Sequence, residues 1–189
     1  PPPSLNRVKE KIDEYTLITS SAWKNVINAS IGGIGFLLSP RAMKAISNIS
    51  KHNDRILELT LNGNPKTTII CCYSPHNEQP YERVEFFYHE LSTIMDNIPA
   101  HNFLLLGGDF NAQLGPNDAQ FTTAASTNRN GTMIMEFMMQ YNLVATNTLF
   151  HHRKSRLWTH QRPFGQKVQI DFILARQKWI NSIKNCRSY

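Results

Sequence analysis

Asp109 and Asn111 stand two residues apart in the stretch NFLLLGGDFNAQLG, residues 102 to 115. Four apolar residues run into Gly107 and Gly108, and the acid and the amide follow. In an extended chain, residues two apart project to the same face, and the glycines let a bulky group approach the backbone. A carboxylate beside an amide suits hydrolysis. The carboxylate can orient or deprotonate a water, and the amide can fix that water or bind a phosphoryl oxygen. The same two residues can also close an Asx turn that satisfies backbone groups, and for Asp-x-Asn alone the turn is the commoner use. Asp171, in VQIDFIL, is a second acid of interest. An ionised carboxylate among apolar neighbours is costly unless it is paired or binds a metal, so its partner is either structural or catalytic. His151, His152 and His160 have no further ligand at metal-site spacing and read as surface or phosphate-side residues. Trp158 and Trp179 can stack on bases, although packing is the commoner role.

The elements that position these residues follow from periodicity. YTLITSSA (15–22) and GIGFLLSP, which Pro40 stops, read as strands, and the WKNVINASIGG between them is turn-like. Residues 1–14 are polar and lack periodicity, as a loop or a short helix from about Arg7 would. RAMKAISNI fits one or two helical turns. RILELTLNG alternates, with Ile56, Glu58 and Thr60 on one face and Leu57, Leu59 and Leu61 on the other. NGNP then signals a hairpin into TTIICCYSP. Residues 81–95 form a helix with Val84, Phe87, Tyr88, Leu91, Ile94 and Met95 as a core stripe. The apolar run in NFLLLGGDFN indicates a strand covered on both faces. Residues 130–142 form a second helix, which Asn130 can cap, with Ile134, Phe137, Met138 and Tyr141 on one face. LVATNTLF, LWTHQ, a turn around Arg162 to Gly165, the strand VQIDFIL and a helix-like QKWINSIKN complete the chain. Strands with helices between them imply a layered α/β domain.

At 189 residues the chain can bury one substantial core and is marginal for two. No apolar run approaches the roughly 20 residues that span a bilayer, so no membrane role is expected. The chain opens on Pro-Pro-Pro-Ser without a signal-peptide pattern or an initiator Met, and is expected to be a processed product or a fragment. Cys71, Cys72 and Cys186 are odd in number, and two are adjacent, which argues against a disulfide scaffold or a zinc site. Reduced cysteines suit a nuclear or cytoplasmic setting. Residues 151–189 hold nine Lys and Arg, among them Arg153, Lys154 and Arg156, against the single acid Asp171, a net +8. A basic end on a near-neutral body suggests a polyanion partner, and a merely solvated basic surface is the alternative.

Five motifs in order, CCYSPHN, GGDFNAQLG, NGTMIMEF, WTH and QIDFIL, resemble the endonuclease/exonuclease/phosphatase superfamily. The nearest likeness is to the apurinic-type endonuclease domains of non-LTR retrotransposons, including RTE-like elements and craniofacial-development-protein-2-like relatives. GIGFLLSP and NTLFHHRKSRLWTH fit the same subgroup. The resemblance covers residues 15–189, with 1–14 as an N-terminal extension or remnant. It implies an α/β four-layer sandwich of two mostly antiparallel β-sheets flanked by helices. It also implies Mg²⁺-assisted hydrolysis of a DNA phosphodiester, with Mn²⁺ as a substitute. By the same resemblance Asp109 activates the attacking water and Asn111 holds that water and the phosphate. Tyr73 contacts the scissile phosphate, and Asp171 orients a catalytic histidine. His76, Asn77, Thr159, Arg153, Lys154 and Arg156 lie on the phosphate side. The partner is DNA, the domain monomeric, and a reverse transcriptase once fused to it.

The resemblance leaves gaps. The family's Ser-Asp-His motif and its metal-binding Glu find no counterpart in residues 1–189, and neither Glu10 nor Glu14 follows an apolar run as that ligand would. The metal ligand is therefore unknown, and the chain is expected to be a weak or inactive piece of a DNA-nicking phosphodiesterase. The alternatives are a non-catalytic nucleic-acid-binding remnant and another phosphatase or phosphodiesterase of the superfamily.

Overall fold

The computed structural model describes residues 7–20, 23–24, 30–31 and 33–188. The chain forms two compact units, one of Pro1–Tyr73 with Pro99–Leu104, the other of Ser74–Ile98 with Leu105–Tyr189.

In the first unit, β1 (Arg7–Ile12) and β2 (Tyr15–Ser20) form an antiparallel hairpin, with Ile12 opposite Tyr15. Asp13 turns the corner at φ 54°. Residues 7–12 are thus a strand rather than a loop or short helix. Their side-chain pattern is uninformative because pairing with β2 supplies the backbone partners. After β3 (Trp23–Lys24) and β4 (Ser30–Ile31), which pair with each other, comes β5 (Ile34–Leu38), antiparallel to β2. The remainder of the turn-like stretch expected around residues 23–33, and part of 15–22, lies outside the described residues.

Ser39 caps α1 (Pro40–Ala45) by accepting the Ala42 N–H, and Pro40 in the first turn needs no N–H. The helix ends there, and Ile46–Lys51 form β6 instead of a further helical turn. Pairing with β7 (Ile56–Leu61) overrides the local pattern, and β7 pairs in turn with β8 (Thr67–Tyr73). The hairpin signalled by NGNP is therefore present, with residues 62–66 as its loop. Ile18, Leu38 and Leu59 centre the unit's core, with Phe36, Met43, Ile49 and Ile69 packed around them. Such burial contributes about 1.5–3 kcal/mol per large aliphatic side chain.

The second unit opens with α2 (Tyr81–Asp96), whose buried residues are the six of the expected stripe. Next, β9 (Phe103–Asp109) carries the chain from the first unit into the second, and Leu104 and Leu106 are wholly buried. After a loop, α3 runs Arg129–Tyr141, and β10 covers only Leu143–Ala145. LVATNTLF is thus a strand for three residues, followed by a 3₁₀ turn at Thr146–Thr148. There Thr146 Oγ1 donates to the Ile173 carbonyl, and Thr148 Oγ1 to that of Ala145. A small hairpin, β11 (His160–Gln161) with β12 (Lys167–Val168), precedes β13 (Asp171–Arg176). β13 pairs antiparallel with β9 on one side and β10 on the other. The final QKWINS segment is 3₁₀-helical. The chain is thus mixed α/β, with several sheets and flanking helices. Cys71, Cys72 and Cys186 form no disulfide.

Candidate active site at the Asp109–Asp171 strand pair

The register of β9 and β13 sets Asp171 directly across from Asp109 and Ile173 across from Gly107. Opposed residues in an antiparallel pair have Cβ atoms about 4.5–5.5 Å apart, so two carboxylates share one short strand end. The Asp109 carboxyl is pushed up from 3.8 to about 6. Burial is the chief cause, and the negative charge of Asp171 adds to it. The Asn111 N–H bond, and the neighbouring His76 and His160, pull the other way. A carboxyl poised near 6 can take a proton near neutral pH.

Asn111 does not share an extended face with Asp109. β9 ends at Asp109, and Asn111 has a left-handed backbone at φ 49°. Its N–H donates to Asp109 Oδ1 at 2.8 Å, an Asx turn. The Asn111 Nδ2 donates to the Ser74 carbonyl at 2.9 Å, and the Ser74 N–H donates to the Asp109 carbonyl at 2.8 Å. The turn and the site are therefore one structure: the Asx bond holds the carboxylate, and Ser74 holds the amide. A Cβ at Gly107 would meet Ile173 Cγ1 at 3.7 Å, an ordinary contact. Packing therefore does not force glycine there, and its absent side chain leaves the strand face low beside the carboxylates.

Asp171 is held by its backbone. Thr159 Oγ1 accepts the N–H groups of Ile170 and Asp171, both at 3.1 Å. Asn147 Nδ2 donates to the Asp171 carbonyl at 3.0 Å, and Asn147 Oδ1 accepts the Ile173 N–H at 3.2 Å. A cavity of about 290 Å³ opens beside these residues, lined by Gly108, Asn147, Arg156, Thr159, Gln169 and Asp171 among others.

His76 and Asn77 follow Ser74. His76 is exposed, and Asn77 Oδ1 accepts the Asn130 N–H at 3.1 Å. Arg129 donates to the carbonyls of Asn77 and Gln79. Arg153, Lys154 and Arg156 are exposed around a 3₁₀ turn, and the Arg156 carbonyl accepts the Ser188 N–H at 3.2 Å. Tyr73 ends β8 in the first unit, its ring under the Arg55 guanidinium at 5.1 Å. Arg55 also donates to the Tyr73 carbonyl at 3.0 Å.

Three residues that hold this site gave little signal in the sequence: Ser74, Asn130 and Asn147. Asn130 is not the helix cap. Asn128 is, accepting the Gly131 N–H at 2.7 Å. Asn130 is fully buried, and its Nδ2 reaches the carbonyls of Pro75 (3.0 Å) and Phe110 (3.5 Å), joining α3 to both site loops. The spacing N-x-x-G in NRNG carries the cap, and an N-cap reading two residues earlier finds it.

A divalent cation of the magnesium type needs several converging oxygens. Among the described residues no three His, Cys, Asp or Glu side chains converge to hold a metal ion. The donors present do not fit a metal site on their own.

No protein-family model matches the chain. It is 30% identical over 162 residues to craniofacial development protein 2 of Bos taurus, covering 82% of the chain and 27% of that protein. The Tragulus javanicus protein of the same name is 29% identical over the same length, with 82% and 28% covered. The chain thus spans little more than a quarter of the length of these relatives. Among solved structures it is similar to the 3′ phosphatase NExo from Neisseria, bound to product DNA hairpin. The TM-score is 0.66 at 15% identity, over 91% of this chain and 70% of that one. A Leptotrichia buccalis protein of the endonuclease/exonuclease/phosphatase family gives 0.56 at 15%, over 86% and 59%.

Proposed function

We propose that this chain, which carries the endonuclease/exonuclease/phosphatase fold, is part of a magnesium-dependent phosphodiesterase that nicks DNA. The observation that carries the proposal is the Asp109–Asp171 pair, with the Asp109 carboxyl raised to about 6 and locked by the Asn111 N–H. In this reading a water attacks phosphorus and Asp109 takes its proton, while the P–O bond to one sugar oxygen breaks and that oxygen leaves as a hydroxyl with a proton from solvent. Asn111, held on Ser74, fixes the water or a phosphoryl oxygen, and Thr159 and Asn147 hold the Asp171 backbone opposite Asp109. No step is routed through a metal ion, because the described donors do not assemble one. The DNA reading is supported by the +8 stretch of residues 151–189 and by the DNA hairpin bound to the Neisseria phosphatase. A retrotransposon setting, with a reverse transcriptase on the same polypeptide, belongs to the same proposal.

Supercoiled plasmid incubated with the purified chain and Mg²⁺ tests it. The expected outcome is slow nicking that Asp109→Ala abolishes. Nicking undiminished in the variant overturns the assignment. The same +8 stretch supports a second reading, a module that binds nucleic acid without cleaving it. Salt-dependent DNA affinity with no nicking under any divalent ion favours that reading.

A further inference from the structure

Helices α2 and α3 leave a cleft of about 230 Å³ between them, within the second unit. Its floor is largely apolar: Tyr88, Met133 and Phe137 are buried, and the Tyr88 and Phe137 rings lie 5.6 Å apart, tilted by 48°. Each helix adds one exposed acid, Glu85 from α2 and Glu136 from α3, and Tyr81 stands half-exposed at the rim. Among the described residues that line the cleft none is Lys or Arg, and neither glutamate makes a salt bridge. Phe86, next to Glu85, is 61% exposed. Both ends of the helix pair are tied. Arg129 Nη2 donates to the Gln79 carbonyl at 2.8 Å, just ahead of α2, and Tyr141 Oη donates to Asp96 Oδ1 at 2.9 Å. The cleft is therefore preformed, and an occupant does not have to order it.

The chemistry of the lining selects the occupant. Two carboxylates on opposite helices call for a cation, and aromatic rings beneath them attract one electrostatically. The volume falls below the roughly 300–1,000 Å³ of small-molecule pockets, so it suits one side chain rather than a whole ligand. A guanidinium fits better than an ammonium. It is planar, stacks on rings, is weakly hydrated and can donate to carboxylates on both sides. Sign excludes a nucleic acid here: α2 carries Glu82, Glu85, Glu90 and Asp96 against the single base Arg83, a field that repels phosphate and draws in a basic partner.

We propose that the α2–α3 cleft docks an arginine side chain presented by a basic protein segment. Its stem lies over the Tyr88 and Phe137 rings and its guanidinium between Glu85 and Glu136. Tyr81 and Phe86 cover the neighbouring residues of that segment. The cleft shares no lining residue with the cavity beside Asp171, so the inference stands apart from the nicking reading.

The test titrates the ¹⁵N-labelled chain with N-acetylarginine amide and with N-acetylcitrulline amide, which keeps the shape without the charge. The arginine compound should shift the backbone amides of Glu85, Tyr88, Glu136 and Phe137 saturably, and the citrulline compound should not. Glu85→Gln combined with Glu136→Gln should weaken binding about 2- to 25-fold, with plasmid nicking unchanged. An octapeptide with a central arginine should bind about fivefold or more tightly than the capped residue, through added burial of Tyr81 and Phe86. Absence of shifts at these amides overturns the proposal, as do equal shifts with citrulline or undiminished binding by the double variant. Equal affinity for the peptide and the capped residue overturns the protein segment as partner. Shifts of the same amides on concentrating the chain alone would also overturn it, by making a second copy the occupant.

Discussion

Asp109 keeps a proton in the folded chain at a pH where the unfolded chain has released it. Its carboxyl is raised from 3.8 to about 6, with burial as the first cause. Between those values the folded state binds more protons than the unfolded one. Stability therefore falls as pH rises through the window and stays lower above it. Asparagine removes the charge and keeps an acceptor for the Asn111 N–H. Asp109→Asn is expected to stabilise the fold at about pH 7.5 by about 1–2 kcal/mol, discounted for the solvent that reaches a partly exposed group. The gain should vanish at about pH 3.5, where both side chains are neutral. Urea titrations at the two pH values measure it, and an equal effect at both would remove the charge from the explanation. The same proton governs chemistry. With Asp109 as the base, the nicking rate should climb about tenfold per pH unit below about 6 and level off above it.

At the scale of the element, the start of α3 is the joint to perturb. Gly131 lies in its first turn, and a Cβ there would sit 2.2 Å from the Gln113 carbonyl oxygen and 2.7 Å from Thr127 Cγ2. Helix propensity alone favours Gly→Ala by about 1 kcal/mol. Here the backbone contact reverses the sign, and Gly131→Ala should destabilise by about 1–3 kcal/mol. Denaturant midpoints decide it, and a stabilised variant would show that the loop holding Gln113 yields freely. This joint also marks where the sequence stops being informative. The α2 stripe was legible because Val84, Phe87, Tyr88, Leu91, Ile94 and Met95 bury one face of a long helix, and a 3.6-residue period needs no partner to be visible. β1 and β6 were not, because pairing with β2 and β7 defines them. Asp109 and Asp171 were legible as isolated acids, but their opposition is a matter of register. The Asn111 turn was legible as one of two uses of Asp-x-Asn, and the fold uses the turn to hold the carboxylate. Asn130 and Asn147 work through backbone carbonyls distant in sequence, and nothing local encodes that.

For the whole molecule, charge is the lever. With +8 on residues 151–189, DNA affinity should fall steeply with salt, by about 10³-fold or more between 50 and 200 mM if about six phosphates are engaged. Replacing Arg153, Lys154 and Arg156 together by alanine should reduce the log–log slope by about 2–3 without changing sequence preference. Fluorescence anisotropy across a salt series measures it, and an unchanged slope would place the phosphate contacts elsewhere.

The division of the chain has a consequence for its birth. The polypeptide passes between the two units at Tyr73–Ser74, Ile98–Pro99 and Leu104–Leu105. During synthesis the first unit cannot close when its first 73 residues emerge, because Pro99–Leu104 are still to come. All of α2 leaves the ribosome before that closing stretch does. A helix destined for the second unit must therefore wait, its apolar stripe uncovered, while the first unit is completed around it in time.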